Sequence, residues 1–214
     1  MRPWFGIVSC ILATGVFSCS KSGDPVDPSG AGKMSLGDGG YVTSGRWKGY
    51  AWTTAIGDGS RVAPSSFANL KAGATRLCVQ GAVGRDSAFR GLVLLGMNLS
   101  QEALPPAGSL EPAIQEYSPG GSGVRFQVSN PAGSDLRIQI QDRSGLATGR
   151  WCASLAGRTS GTIPWSEFNT KCWAPATGTT YGHQALTNIG IVVPGKDVQD
   201  VSVDFCLEDL AESP

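Results

Sequence analysis

The stretch DLRIQIQD, residues 135–142, alternates Leu136, Ile138 and Ile140 with Arg137, Gln139 and Gln141. A period of two separates these sets onto opposite faces of an extended strand, a pattern no helix can present to a core. The stretch GVRFQVSN just before it does the same, with Phe126 and Val128 set against Arg125 and Gln127. Elsewhere short apolar runs are cut by turn-forming residues, 30 Gly and 13 Pro in 214 positions. Long helical periodicity is absent, so many short strands are expected. Strands are expected at 47–55, 75–84, 89–101, 123–130 and 135–142, with others opening at Arg150, Ala185 and Val198. About eight strands with few helix signals fit an all-β, antiparallel two-sheet β-sandwich of jelly-roll type. Pro131-Ala132-Gly133 reads as the turn of a hairpin joining the two alternating strands. That pairing would gather Arg125, Gln127, Arg137, Gln139 and Gln141 on one outer sheet face.

The chain opens MRPWFGIVSCILATGVFSC, one Arg ahead of an apolar run from Trp4 to Phe17. The run is short for a bilayer span and ends in small residues, as a secretion signal does. Val16-Phe17-Ser18-Cys19 resembles a bacterial lipobox, with Cys19 as the acylated residue, although Phe17 stands where a small residue is usual. Ile7-Val8-Ser9-Cys10 fits the letters better but leaves almost no apolar segment ahead of it. The following residues are rich in Ser, Gly, Asp and Pro and cannot bury enough surface to fold. The expected organisation is a signal peptide at 1–18, a flexible tether at 19–40 and one domain at 41–210. Ser20, not Asp, follows Cys19, and by resemblance to other bacterial lipoproteins this favours the outer membrane or cell surface.

Four Cys remain beyond the signal: Cys78, Cys152, Cys172 and Cys206. In an exported domain an even set implies two disulfides, with three connectivities possible. A zinc site is the rival, but no C-x-x-C pair occurs. Strand parity puts Cys78 opposite Leu77 and Val79, and Cys206 opposite Phe205 and Leu207. Both thus leave the core face, and the first and last strands of a jelly roll commonly lie close. Pairs Cys78–Cys206 and Cys152–Cys172 are therefore expected.

Formal charge is zero, without a basic stripe, which argues against a nucleic-acid partner. No G-x-S-x-G elbow or H-E-x-x-H motif is present. The only His, His183, lies in a Gly-flanked turn. A glycosidase needs two carboxylates at a defined separation, and Glu102, Glu111, Glu116, Asp142 and Glu208 are candidates in principle. Asp58 and Asp86, in acidic turns, are weak candidates for a structural calcium ion. No other cofactor is implied.

The stretch GTIPWSEFNTKCW, residues 161–173, resembles the Pro-aromatic-x-x-Phe segment of jelly-roll carbohydrate-binding modules of the galactose-binding-like superfamily. The order GRWKGYAW, LCVQG, LLGMNLSQ, LRIQIQ, RWCASL, IVVPG and DFCLEDL also resembles exported bacterial lipoproteins built on that module. The resemblance implies a non-catalytic carbohydrate-binding domain covering residues 45–210. Sugar rings stack their C–H faces on aromatics and bond their hydroxyls to planar donors and acceptors. The expected site is Arg125, Gln127, Arg137, Gln139 and Gln141 as a floor, with Tyr50 and Trp173 as exposed aromatics. Trp165 and Phe168 are expected to plug the core, and only one of Tyr50 and Trp52 to face it. Tyr117, in the long connection 100–123, is placed at the rim. The alternatives are an adhesive surface protein that binds another protein, and a glycan-active hydrolase.

Overall fold

Alternating strands cover their apolar faces most fully when two sheets close on each other. The computed structural model describes residues 33–105, 112–145, 148–172 and 178–214. It contains β1 (Ser35–Leu36), β2 (Tyr41–Ser44), β3 (Trp47–Ile56), β4 (Arg61–Ala63), β5 (Leu77–Val83) and β6 (Leu92–Asn98). These are followed by β7 (Gly123–Ser129), β8 (Arg137–Gln141), β9 (Arg150–Ser154), β10 (Ser160–Pro164), β11 (Asn188–Pro194) and β12 (Val201–Ser213). One sheet has seven strands in the order β1-β2-β3-β6-β11-β8-β9, and the other has five in the order β10-β7-β12-β5-β4. All strand pairs are antiparallel. The expected sandwich is present. The short β1, β2, β4 and β10 lack a readable period and add to the strands expected.

The core between the sheets takes Phe126, Val128, Ile138, Ile140, Ile191, Val203 and Phe205, with Trp47, Trp165 and Phe168 at its ends. Trp165 and Phe168 plug the interior as expected, and Trp151 joins them. Met34 and Leu36 are also buried there, and β1 pairs with β2. The ordered domain therefore begins ahead of residue 41, inside the stretch expected to be tether.

The expected hairpin does not form. β7 belongs to the five-stranded sheet and β8 to the seven-stranded one. Two strands with equally apolar faces can bury them by facing each other across the core, and the 130–136 connection is long enough to change sheets. Sheets pack roughly 10 Å apart, a gap that connection spans. Asn130 secures the corner: its Nδ2 donates to Ser134 O at 2.8 Å, and Gly133 N donates to Asn130 O at 3.1 Å. Arg125 and Gln127 thus lie on one outer surface of the sandwich, and Arg137, Gln139 and Gln141 on the opposite one.

Both disulfides are present as expected, Cys78–Cys206 and Cys152–Cys172. Cys78 and Cys206 sit directly opposite each other in the β5–β12 ladder.

β12 carries a bulge between Leu207 and Asp209. The extra residue resets parity, so Leu210 and Glu212 take inward positions after it. The Glu212 carboxylate accepts hydrogen bonds from Gly120 N at 2.6 Å, Gly121 N at 2.8 Å, Arg46 Nη2 at 2.5 Å and the Tyr117 hydroxyl. Tyr117 is therefore engaged with the end of β12, not with a ligand rim. Burial pushes the Glu212 carboxyl up, but the bonds from Tyr117, Gly121, Gly120 and Arg46 outweigh it and hold the carboxyl below its ordinary value. A carboxyl depressed on folding stabilises fully above the unfolded value, near 4.3, and loses that contribution as pH falls through the folded one. Glu212→Ala is expected to lose roughly 2–4 kcal/mol in urea unfolding at pH 7, because three backbone or guanidinium donors and a hydroxyl lose their acceptor. The gap between wild type and Glu212→Gln should be flat above about pH 5 and close below about pH 4. A gap independent of pH would show that the carboxylate charge contributes nothing.

Candidate functional site

Residues of the seven-stranded sheet that do not face the core form cross-strand rows on its outer face. Register places Trp52, Gly96, Gly190, Gln139 and Cys152 in one row. On one side of it runs Asn98, Asn188, Gln141 and Arg150. On the other runs Thr54, Leu94, Val192, Arg137 and Ser154. Gly96-Met97-Asn98 and Asn188-Ile189-Gly190 are mirror images, so antiparallel pairing sets Gly against Gly and Asn against Asn.

At both central positions an added Cβ would meet a close neighbour, a side chain at Gly96 and backbone at Gly190. A methyl group on Gly96 would lie 2.5 Å from Cζ2 of Trp52, so the indole lies flat over that backbone. A methyl group on Gly190 would meet the neighbouring strand itself, 2.7 Å from Gly96 Cα. The Trp52 ring is held by a chain of amides. Trp52 Nε1 donates to Asn98 Oδ1 at 3.3 Å, Asn98 Nδ2 donates to Gln101 Oε1 at 2.7 Å, and Gln101 Nε2 donates to Pro112 O at 3.0 Å. Leu92, Leu94 and Val192 form a second apolar cluster beside the ring, and Trp52 and Ile56 pack against it.

Gln139 stands in the Trp52 row and Gln141 in the adjoining one, with exposures of only 1% and 4%. Among the described residues the Nε2 group of each has no hydrogen-bond partner. Ser44, Trp47 and Trp151 carry buried polar atoms of the same kind, so these two amides do not by themselves mark a ligand site. Burial holds the Arg150 guanidinium, at the end of its row, below its ordinary value. Open depressions adjoin the face: one of about 520 Å3 next to Asn188 and Arg143, another of about 450 Å3 next to Cys152 and Asn169.

Several expectations are corrected by this geometry. Gln139 and Gln141 share the outward parity expected of them but are buried. Arg137 is also committed: it pairs with Asp135 at 2.7 Å and donates to Cys172 O. Arg125 and Gln127 lie on the far sheet, where Arg125 Nε donates to Asp209 Oδ2 at 2.9 Å and Gln127 Nε2 donates to Glu208 Oε2 at 2.7 Å. The five do not form one floor, because β7 and β8 are in different sheets. Tyr50 is on the candidate face, half-buried, its hydroxyl accepting from Leu104 N at 2.8 Å. Trp52 shares that face, since residues two apart have the same parity, so neither Tyr50 nor Trp52 points to the core. Trp173 lies outside the described residues. Asp86 is occupied by Arg90 at 3.0 Å, and beside Asp58 the surroundings are Arg85 and Arg90, a poor setting for calcium. Among the described residues no group of three or more His, Cys, Asp or Glu could hold a metal. His183 has a φ of +62° and sets its ring beside Tyr181 at 5.6 Å.

The residues that sequence reasoning missed are Trp52, Asn98 and Asn188 with the two glycines. β6 and β11 are apolar on both faces, so alternation is silent there. The mirrored Gly-x-Asn and Asn-x-Gly pair was the available signal.

No protein-family model matches the chain, and neither does any curated protein. Among solved structures, the chain is similar to the family 11 carbohydrate-binding module of the cellulosomal cellulase Lic26A-Cel5E of Clostridium thermocellum, at 12% identity and a TM-score of 0.46, over 76% of this chain and 88% of that one.

Proposed function

We propose that the outer face of the seven-stranded sheet binds a carbohydrate chain without transforming it. The observation that carries this reading is the Trp52 ring laid over Gly96 on the outer face and braced there by Asn98 and Gln101. A sugar ring would stack its C–H face on the half-buried indole. Asn188 is half-buried in the neighbouring row, while Asn98, Leu94 and Val192 lie buried beside the indole and hold it in place. Tyr50 stands beside Trp52 as a second aromatic. The cross-strand rows contain no carboxylate and no His, and glycoside hydrolysis calls for a pair of carboxylates, so a binding role fits better than a hydrolytic one. The test is a glycan array probed with the mature protein, its hits titrated calorimetrically into wild type and Gly96→Ala. A hit that Gly96→Ala binds as tightly as wild type would move the site elsewhere.

The same proposal places the domain outside the cytoplasm on a lipid anchor at Cys19, a residue outside the described ones. Two disulfides support export, since they persist in oxidising compartments. Radiolabelled palmitate should enter the wild-type chain and not Cys19→Ser, and equal labelling would end the claim.

A further inference from the structure

Resting on that reading of the face, we propose a second subsite at its end: the pocket between Phe89 and Lys196 receives an anionic substituent, a carboxylate or sulfate, carried by a sugar unit of the bound polysaccharide. The face runs directly into it. Arg137 pairs in register with Val192, and two residues further along β11 Pro194 pairs with Leu92. Beyond them lies a pocket of about 180 Å3 lined by Phe89, Asp135, Arg137, Pro194 and Lys196, among others.

Phe89 stands in the left-handed region at a φ of +54° and is 47% exposed. That backbone conformation is strained for a bulky aromatic, and here the ring gains little burial in return. The turn is built to keep it there. Phe89 N donates to Asp86 O at 2.9 Å, Ala88 N donates to Asp86 Oδ1 at 2.9 Å, and Arg90 Nε donates to Asp86 Oδ2 at 3.0 Å. Asp86 N in turn donates to Lys196 O at 3.0 Å, and Gly195 N to Gly91 O at 2.9 Å, so the two walls of the pocket are tied together. The exposed ring and the lysine are thus held at a set spacing by backbone bonds.

The charges decide the ligand. Arg137 is balanced by Asp135. No hydrogen bond or ion pair engages the Lys196 ammonium among the described residues. The pocket therefore offers one uncompensated cation beside an aromatic plane. A uronic or sulfated sugar carries both complements on one ring, a C–H face for Phe89 and an anion for Lys196. A neutral glycan would satisfy the Trp52 row and leave this pocket unused.

The test is affinity electrophoresis of the mature protein in gels containing polygalacturonate, alginate, hyaluronan or chondroitin sulfate, each beside its carboxyl-reduced or desulfated form, and a neutral mixed-linkage β-glucan. At least one acidic polymer should retard the wild type about tenfold more strongly than its neutralised form, the equivalent of one charge-assisted bond. Lys196→Ala and Phe89→Gly should each erase that difference, while Gly96→Ala weakens both forms. Phe89→Gly should melt no lower than wild type, because glycine adopts the positive φ freely, so its loss of binding cannot come from misfolding. Equal retardation by acidic and neutralised forms, or an acidic preference that survives Lys196→Ala, overturns the subsite and leaves the face standing. Retardation by none of the polymers overturns the face together with the subsite. Retardation insensitive to Gly96→Ala and abolished by 0.5 M salt, where the Debye length falls to roughly 4 Å, overturns both in favour of diffuse charge attraction.

Discussion

Replacing Cys78 and Cys206 by Ser lowers the unfolding free energy by about 4–5 kcal/mol, the largest expected change in stability from one covalent feature of this domain. The bridge joins residues 128 apart in sequence. Restricting so long a loop in the unfolded chain is worth close to 5 kcal/mol on the chain-entropy model. Cys152–Cys172 closes a separation of 20, worth about 3 kcal/mol on the same model. In the native state Cys78 and Cys206 already face each other in the β5–β12 ladder, so removing the bond leaves the strand pairing in place and acts on the unfolded ensemble. Urea unfolding of the two double-Ser variants checks this. A larger loss from the shorter loop would mean that native packing of the buried Cys152 and Cys172, not chain entropy, sets the ranking.

On the proposed reading, Gly96→Ala is expected to weaken glycan binding as severely as Trp52→Ala, by about 30-fold or more, the effect of losing a central aromatic anchor worth roughly 2 kcal/mol or above. The nearest atoms to the added methyl group all belong to the Trp52 ring. A side chain can swing aside where a backbone cannot, so the variant should fold with a stability loss of only about 1 kcal/mol while its indole leaves the face. Gly190→Ala behaves differently. Its methyl group meets the backbone of β6, so the strain enters the sheet and costs about 1–3 kcal/mol of stability. Calorimetric titration of an array hit, paired with thermal melts, separates the two. Gly96→Ala binding at wild-type affinity would remove Trp52 from the site.

Alternation in the chain was sufficient for the in-or-out decision wherever one face is apolar and the other polar. Leu77, Val79, Val203, Phe205 and Leu207 point inward, and the disulfide between Cys78 and Cys206 follows from that parity. The all-β class, the two-sheet architecture and the plugging role of Trp165 and Phe168 were legible for the same local reason: period and turn residues are properties of neighbours along the chain. Which strand lies beside which was not. β7 and β8 carry the same alternation and a good turn between them, yet they lie in different sheets, because burying Phe126 against Ile138 across the core and pairing them side by side both satisfy the pattern. That choice moved Arg125 and Gln127 to the far surface and left Gln139 in the row of Trp52 and Gln141 in the row beside it. β6 and β11 are buried along nearly their whole length, so no polar mark tells their two faces apart. Only long-range pairing brings Gly96 against Gly190 and Asn98 against Asn188, because this face is assembled across strands and each strand supplies one or two of its side chains.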